Sequence, residues 1–384
     1  MPIREIKKVA YVTVLDSTDI NNWSGILVYL HDALAEAFPE VVRIGPLHSA
    51  REPIGVARRL ASWTKKQDHP LWLTKASAKS MALQVEAQLA EIKADAIFAV
   101  WHPALAFLRT QLPVFMFQDS PFEVIQQFYS GMSHFTPAIM KEVQLVERMA
   151  AKRCTGIIET SEWAADEARR LWRLPYDRVA AIPFGANVTS DVSPKNIDQV
   201  LASRPTDRCD LLWLGKEWER KGGDIAMEAA RILNHSGLKT TLHIVGCDVP
   251  TSPIPSFVDP IGFIDKKTDE GKNKLANLLK TSHFMILPTR AEAFGIVYLE
   301  AAAFALPSLA PDVMGVGSAV LDGKTGILLP KDSDGKAYAS AIQAVLKDRS
   351  GYESLCKSAL ETYADKFTWS SVGRQIRDFM LSRV

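Results

Sequence analysis

Short apolar runs rich in Val, Ile and Leu recur along the whole chain: "VAYVTVLD", "AIFAVW", "VFMFQD", "GIIETS", "VAAIPF", then "LLWLG", "LHIVG", "FMILP" and "GILLP". Runs of this kind suit strands buried on both faces of a parallel sheet. Between them lie stretches with apolar residues at helical spacing, among them "SAKSMALQVEAQLAEIKA", "PAIMKEVQLVERMAAKR", "DIAMEAARILNHSG" and "GKAYASAIQAVLKD". Strand and helix in alternation predict an α/β, doubly wound architecture. The alternation breaks once, between Asn187 and Asp210, where the chain is polar, carries two prolines and lacks an apolar run. That stretch reads as a linker (188–209) with at most one weak helical turn. It divides two Rossmann-like domains, 1–187 and 210–366. Ligands of open α/β sheets sit beyond the carboxyl ends of the strands, so two such domains are expected to face a cleft.

A chain of 384 residues exceeds the size at which one core keeps growing, which agrees with two domains. Lys plus Arg (45) nearly cancels Asp plus Glu (44), so no global charge draws the protein to nucleic acid. Cys154, Cys209, Cys247 and Cys356 form no C-x-x-C pair, which argues against a zinc or disulfide framework and fits a reducing cytosol. No uninterrupted apolar stretch is long enough to span a membrane, and the opening apolar run is too short for a signal peptide. The expected location is cytoplasmic.

The most informative segment is "FMILPTRAEAFGIVYLE", an apolar strand followed by a polar loop and a helix. The helix is expected to begin near Phe294, leaving the amides of Gly295, Ile296 and Val297 in its first turn. There they point outward at the positive end of the helix dipole, a natural seat for a diphosphate. Glycine at 295 lets backbone approach the phosphate without a Cβ in the way. Glu292 precedes the helix and Glu300 lies two turns along it. At about 1.5 Å per residue, roughly 10 Å would separate the carboxylates. That span suits a nucleotide sugar, with Glu292 accepting from sugar hydroxyls and Glu300 from the ribose. Both carboxylates are then expected to be reachable rather than sealed inside the protein. An ordinary helix whose glutamates favour the positive end of its dipole is the alternative.

"EAFGIVYLE" resembles the E-x7-E motif of retaining GT-B glycosyltransferases of family four, with one departure: Ala305 stands where that family usually has glycine. The matches to this family run from about Asp16 to Met380. In "LLWLGKEWERKGG", Lys216, Arg220 and Lys221 resemble the family's diphosphate-binding element; Lys221 matches its lysine, and Lys216 stands where arginine is commoner. Lysine offers a point charge rather than a fork, which Arg220 would supply. A solvated loop neutralised by Glu217 and Glu219 is the alternative. The Asp332-Ser333-Asp334 string reads as a helix-capping loop rather than a metal motif. No metal or other cofactor is expected, so lysines and helix amides would meet the charge on the leaving diphosphate.

Further positions follow from the resemblance. Gly25, beside Ser24, falls in a loop that approaches the donor in that family, although a plain capped loop explains it as well. Ile264, in "PIGFID", is expected to wall the nucleotide base. Trp101 and His102, and then Gln118, Asp119 and Ser120, end two strands. Gln118 stands where many relatives carry an active-site histidine, so Asp119 is the candidate to orient the acceptor or steady the positive ring. Trp101, His102 and Gln118 are acceptor-side candidates. "RVAAIPFGANV" resembles the turn closing the first domain, and "FTWSSVGRQIRDFM" a last helix (367–384) that crosses back to it. Residues 51–66, five cations beside Trp63, suggest a basic amphipathic face for peripheral contact with anionic lipid, or a solvated helix.

The sequence thus predicts a metal-independent retaining hexosyltransferase. Its partners would be a nucleotide-diphosphate sugar and a hydroxyl acceptor (glycan, lipid-linked or small molecule). The alternatives are a GT-B epimerase or phosphorylase, and a catalytically altered nucleotide-sugar-binding protein.

Overall fold

In the computed structural model, which describes residues 5–50, 71–129 and 135–384, the apolar runs become strands of two parallel sheets, one in each of two units. The first unit comprises Met1–Gly185 and Trp369–Val384, the second Ala186–Thr368.

The first sheet is built from β1 (Lys8–Val12), β2 (Glu40–Ile44), β3 (Ala96–Val100), β4 (Val114–Gln118), β5 (Gly156–Glu159) and β6 (Val179–Ala181), in the order β2-β1-β3-β4-β5-β6. Every residue of β3, β4 and β5 is buried, which is why these runs are apolar without alternation. Val12, Ile97, Met116 and Ile157 pack with Met81 and Val85 of the helix Lys75–Ile92 and with Val146 and Ala150 of the helix Pro137–Arg153. The latter helix opens on Thr136, whose side chain accepts from Ile139 N, with proline at its first position.

The second sheet contains β7 (Cys209–Leu214), β8 (Thr240–Val245), β9 (Val258–Gly262), β10 (Phe284–Ile286), β11 (Ser308–Pro311) and β12 (Gly326–Leu329), ordered β12-β11-β10-β7-β8-β9. The apolar pattern misses β2, β9 and β11. Two of these are sheet edges with mostly unburied residues, and β11 is four residues long and ends in proline. Exposed edges such as β2 and β9 carry no continuous apolar run, and in β11 serine and proline bracket only two apolar residues.

Residues 188–209 differ from the sequence reading. They fall inside the second unit rather than between two units. The helix Ile197–Ala202 buries Ile197 and Leu201, and Arg204 is only 1% exposed. Its guanidinium donates to Lys280 O (3.0 Å), Tyr352 Oη (2.9 Å), Cys356 Sγ (3.3 Å) and Phe304 O (3.2 Å). A charged group is tolerated there because several acceptors meet it at once. The polar composition disguised an anchored segment.

After leaving the second unit the chain completes the first. The helix Trp369–Leu381 buries Val372, Ile376 and Met380. Phe379 meets Phe115 of β4 edge to face at 6.3 Å, and Arg383 pairs with Asp177 at 2.6 Å.

Candidate functional site

The loops that leave the carboxyl ends of β7, β9 and β10 carry the donor-site candidates of the second unit. After β10 comes Pro288 to Gly295, then the helix Ile296–Ala302, which starts two residues later than the sequence suggests. Gly295 caps it at φ 91, and a Cβ there would lie 2.6 Å from the Tyr298 ring. Only glycine suits both the left-handed backbone and the space. The amides of Ile296 and Val297 open the first turn, where a helix has no acceptors of its own. Both residues are half-buried; Phe294 is buried and serves the core.

The loop after β7 folds against this one. Gly222, at φ 66, packs on the Pro288 carbonyl, with no room for a Cβ. Arg220 O accepts from Arg290 N (2.7 Å) and from Thr289 Oγ1 (3.1 Å). These contacts bring three side chains together. Lys221 Nζ donates to Glu292 Oε2, and Arg220 lies 3.6 Å from the same oxygen. Arg220 also holds Glu217 at 2.6 Å and Ala291 O at 2.8 Å. Side-chain exposure is 12% for Lys221 and 10% for Glu292, so the pair is largely withdrawn from water. Burial, with help from the Arg220 charge, lowers the Lys221 pKa to about 7, against a smaller opposing effect of Glu217. Lys216 is exposed and has no side-chain partner among the described residues.

Both glutamates depart from the expectation that they stand open. Glu292 is 8% exposed and paired with Lys221, and Glu300 is 1% exposed. Lys266 Nζ donates to Glu300 Oε1 and Oε2, each at 2.9 Å. A helix with a free carboxylate at this depth would bury an unpaired charge, and the lysine removes that cost. Lys266 sits in the loop after β9, two residues past the buried Ile264. Sequence reasoning missed it, since it is one of two adjacent lysines in a polar loop and no spacing marks it.

In the first unit the candidates again lie at carboxyl ends of strands, yet they separate by depth. Gly25 caps the helix Ile26–Ala37 at φ 87, and Trp23 and Ser24 before it also have positive φ. Trp101 is half-buried, with φ 66, and its ring lies 4.7 Å from that of Trp23. Positive φ at a tryptophan is uncommon and costs backbone energy. Asp119 is half-buried, and loss of hydration raises its carboxyl pKa to about 6. His102 (3% exposed) and Gln118 (1%) do not line an accessible surface, which corrects their reading as acceptor-side residues. Gln118 Nε2 donates to Glu159 Oε1 at 3.1 Å, and His102 Nδ1 lies 3.7 Å from Glu147 Oε1. Glu147 itself accepts from Phe122 N at 2.7 Å. Burial raises the Glu147 pKa to about 7 and lowers that of His102 to about 3, so both are neutral in mildly acidic solution. Gln118 and Glu159 are buried because every residue of β4 and β5 is.

Asp334 caps the helix Gly335–Lys347 by accepting from Ala337 N at 2.9 Å, as the sequence reading of this loop expects. Among the described residues, no group of three or more His, Cys, Asp or Glu is arranged to hold a metal ion. No described helix is long and apolar enough to cross a membrane. The basic stretch 51–66 lies outside the described residues.

Comparison with known proteins places this geometry. The family model "Glycosyl transferases group 1" matches residues 208–348, which hold Lys216, Lys221, Lys266, Glu292 and Glu300. The alpha-D-kanosaminyltransferase of Streptomyces kanamyceticus is 28% identical over 237 residues, covering 60% of this chain and 61% of its own length. The chain spans roughly half to six-tenths of the length of the curated relatives it matches. Among solved structures, the sucrose-phosphate synthase of Thermosynechococcus elongatus superposes with a TM-score of 0.68 at 20% identity, over 96% of this chain and 97% of its own. Anabaena HepE in complex with UDP-glucose does so with a TM-score of 0.61 at 16% identity, over 98% and 100%. Residues 208–348 thus match the group 1 glycosyltransferase domain, and the two parallel sheets are those of the GT-B fold.

Proposed function

We propose that the protein transfers a sugar from a nucleotide-diphosphate sugar to a hydroxyl acceptor, with retention at the anomeric carbon and without a metal ion. The observation that carries this reading is the meeting of Lys221, Arg220 and Glu292 at the carboxyl ends of β7 and β10, within the stretch matching group 1 glycosyltransferases.

When the donor enters, the Lys221–Glu292 pair divides between its two halves. Lys221 turns to the diphosphate, beside Lys216, Arg220 and the Ile296 and Val297 amides, while Glu292 accepts from sugar hydroxyls. As the bond from the anomeric carbon to the diphosphate oxygen breaks, negative charge grows on the phosphate. Cations and amides already in position stabilise that charge without having to reorganise. Glu292 stays beside the positive sugar, and the acceptor oxygen enters from the face the diphosphate leaves. Asp119, whose carboxyl is proton-poor only above about 6, is proposed to orient the acceptor hydroxyl, with Trp101 beside it.

UDP-glucose is the first donor to try, because HepE has been solved with it. The protein is incubated with UDP-, GDP-, ADP- and TDP-sugars, and melting shifts and release of nucleoside diphosphate are read with and without EDTA. Binding and release by at least one donor, unaffected by EDTA, is expected; a panel with no shift and no release overturns the reading. Glu292→Gln should slow turnover by on the order of 100-fold while nucleotide affinity stays within about three-fold, as expected for a group that acts mainly on the transition state. Unchanged turnover would remove Glu292 from its role. Donor binding without release would favour a nucleotide-sugar-binding protein, for which the buried Gln118 in the histidine position speaks.

A further inference from the structure

Glu300 is the most deeply buried acidic group of the second unit's candidate site, at 1% exposure, yet its partner approaches from the solvent side. The Lys266 side chain keeps 46% exposure and places its ammonium 2.9 Å from each carboxylate oxygen. Among the described residues no other group donates to that carboxylate. The ammonium therefore lies on the solvent side of Glu300. The lysine stem crosses a loop fixed at both ends. Ile264 is buried on one side, and on the other Thr268 caps the helix Asp269–Thr281 by receiving Gly271 N at 3.0 Å. Movement to uncover Glu300 thus falls to the side chain of Lys266.

We propose that Lys266 is a displaceable counter-ion, which occupies the seat of the donor's ribose diol and must swing away before Glu300 can receive it. The inference rests on the donor-site reading above and adds a residue that sets donor affinity. Two hydroxyls of a ribose satisfy a carboxylate from the same side as one ammonium does, so the two compete. Breaking the ion pair is part of the free energy of binding, and removing the lysine abolishes that cost. The uncovered carboxylate then gains more from the diol, because nothing else neutralises it.

The test measures binding of UDP, ADP and GDP, and of the 2′,3′-dideoxy form of whichever binds, to wild-type protein, Lys266→Met and Lys266→Arg by calorimetry. Lys266→Met should bind the nucleotide roughly 10-fold tighter, since about 1.4 kcal/mol of competition is lost. It should also lose more affinity than wild type when the two hydroxyls are removed. Its melting temperature should fall without nucleotide and recover with saturating nucleotide, whereas Lys266→Arg keeps the counter-ion and behaves as wild type. Wild-type binding with equal or weaker affinity in Lys266→Met overturns this inference alone. Failure of wild type to bind any of the three nucleotides overturns the donor-site reading, and this inference with it.

Discussion

Lys221 needs its proton to grip a diphosphate, and burial brings its pKa to about 7. The sign follows directly: below 7 the ammonium is present and attracts the phosphates, and above 7 it is progressively lost. Affinity for a nucleoside diphosphate should therefore fall several-fold between pH 6.5 and pH 8.5, by calorimetry at constant ionic strength. Lys221→Arg, which stays charged throughout, should flatten that dependence. A flat wild-type profile would show that the bound phosphate keeps the lysine charged over the whole range. At this scale the sequence put Glu292, Lys221 and Arg220 in two strand-to-helix loops, and the structure brings the three side chains together there. It could not tell that His102 and Gln118 point inward, since a strand end looks the same in sequence whether packed or open. Nor could it show which cation covers Glu300, a pairing between a loop and a helix with partners 34 residues apart.

The helix Pro137–Arg153 is amphipathic in the ordinary way, yet its Glu147 is fully buried and accepts backbone amides at the start of the preceding short helix, Phe122–Ile125. Its pKa is raised from 4.5 to about 7 chiefly by burial. A raised carboxyl contributes stability below the unfolded value, and that contribution is lost as pH rises through the folded one. Glu147→Gln keeps the acceptor and removes the titration. By denaturant titration, the variant should therefore gain on wild type from pH 5 to pH 8, by on the order of 2 kcal/mol. An equal difference at both pH values would mean Glu147 is not neutral in the folded state. Among elements, most strands and the amphipathic helices were legible; the exposed edge strands β2 and β9, and the buried β11, were not. Ala305 shows a further limit. It lies at φ 53 just past the helix Ile296–Ala302, a backbone that suits glycine and implies a cost of about 1 kcal/mol in this chain.

The two-unit organisation is legible in one break in the alternation, but that break is an anchored segment of the second unit rather than a tether. The second unit begins at Ala186, some twenty residues before the stretch that matches the glycosyltransferase family at 208. A fragment spanning 186–368 should unfold cooperatively. One spanning 208–368 loses Ile197, Leu201 and the four hydrogen bonds of Arg204, and should melt at least about 10 °C lower in a calorimeter. Equal melting would make the segment dispensable. The first unit, in contrast, is discontinuous: its sheet is written early in the chain, and the helix that covers Phe115 and carries Ile376 and Met380 comes last. Cutting the chain after residue 368 would therefore leave the early-written sheet with an open apolar furrow, although the second unit keeps all of its own residues.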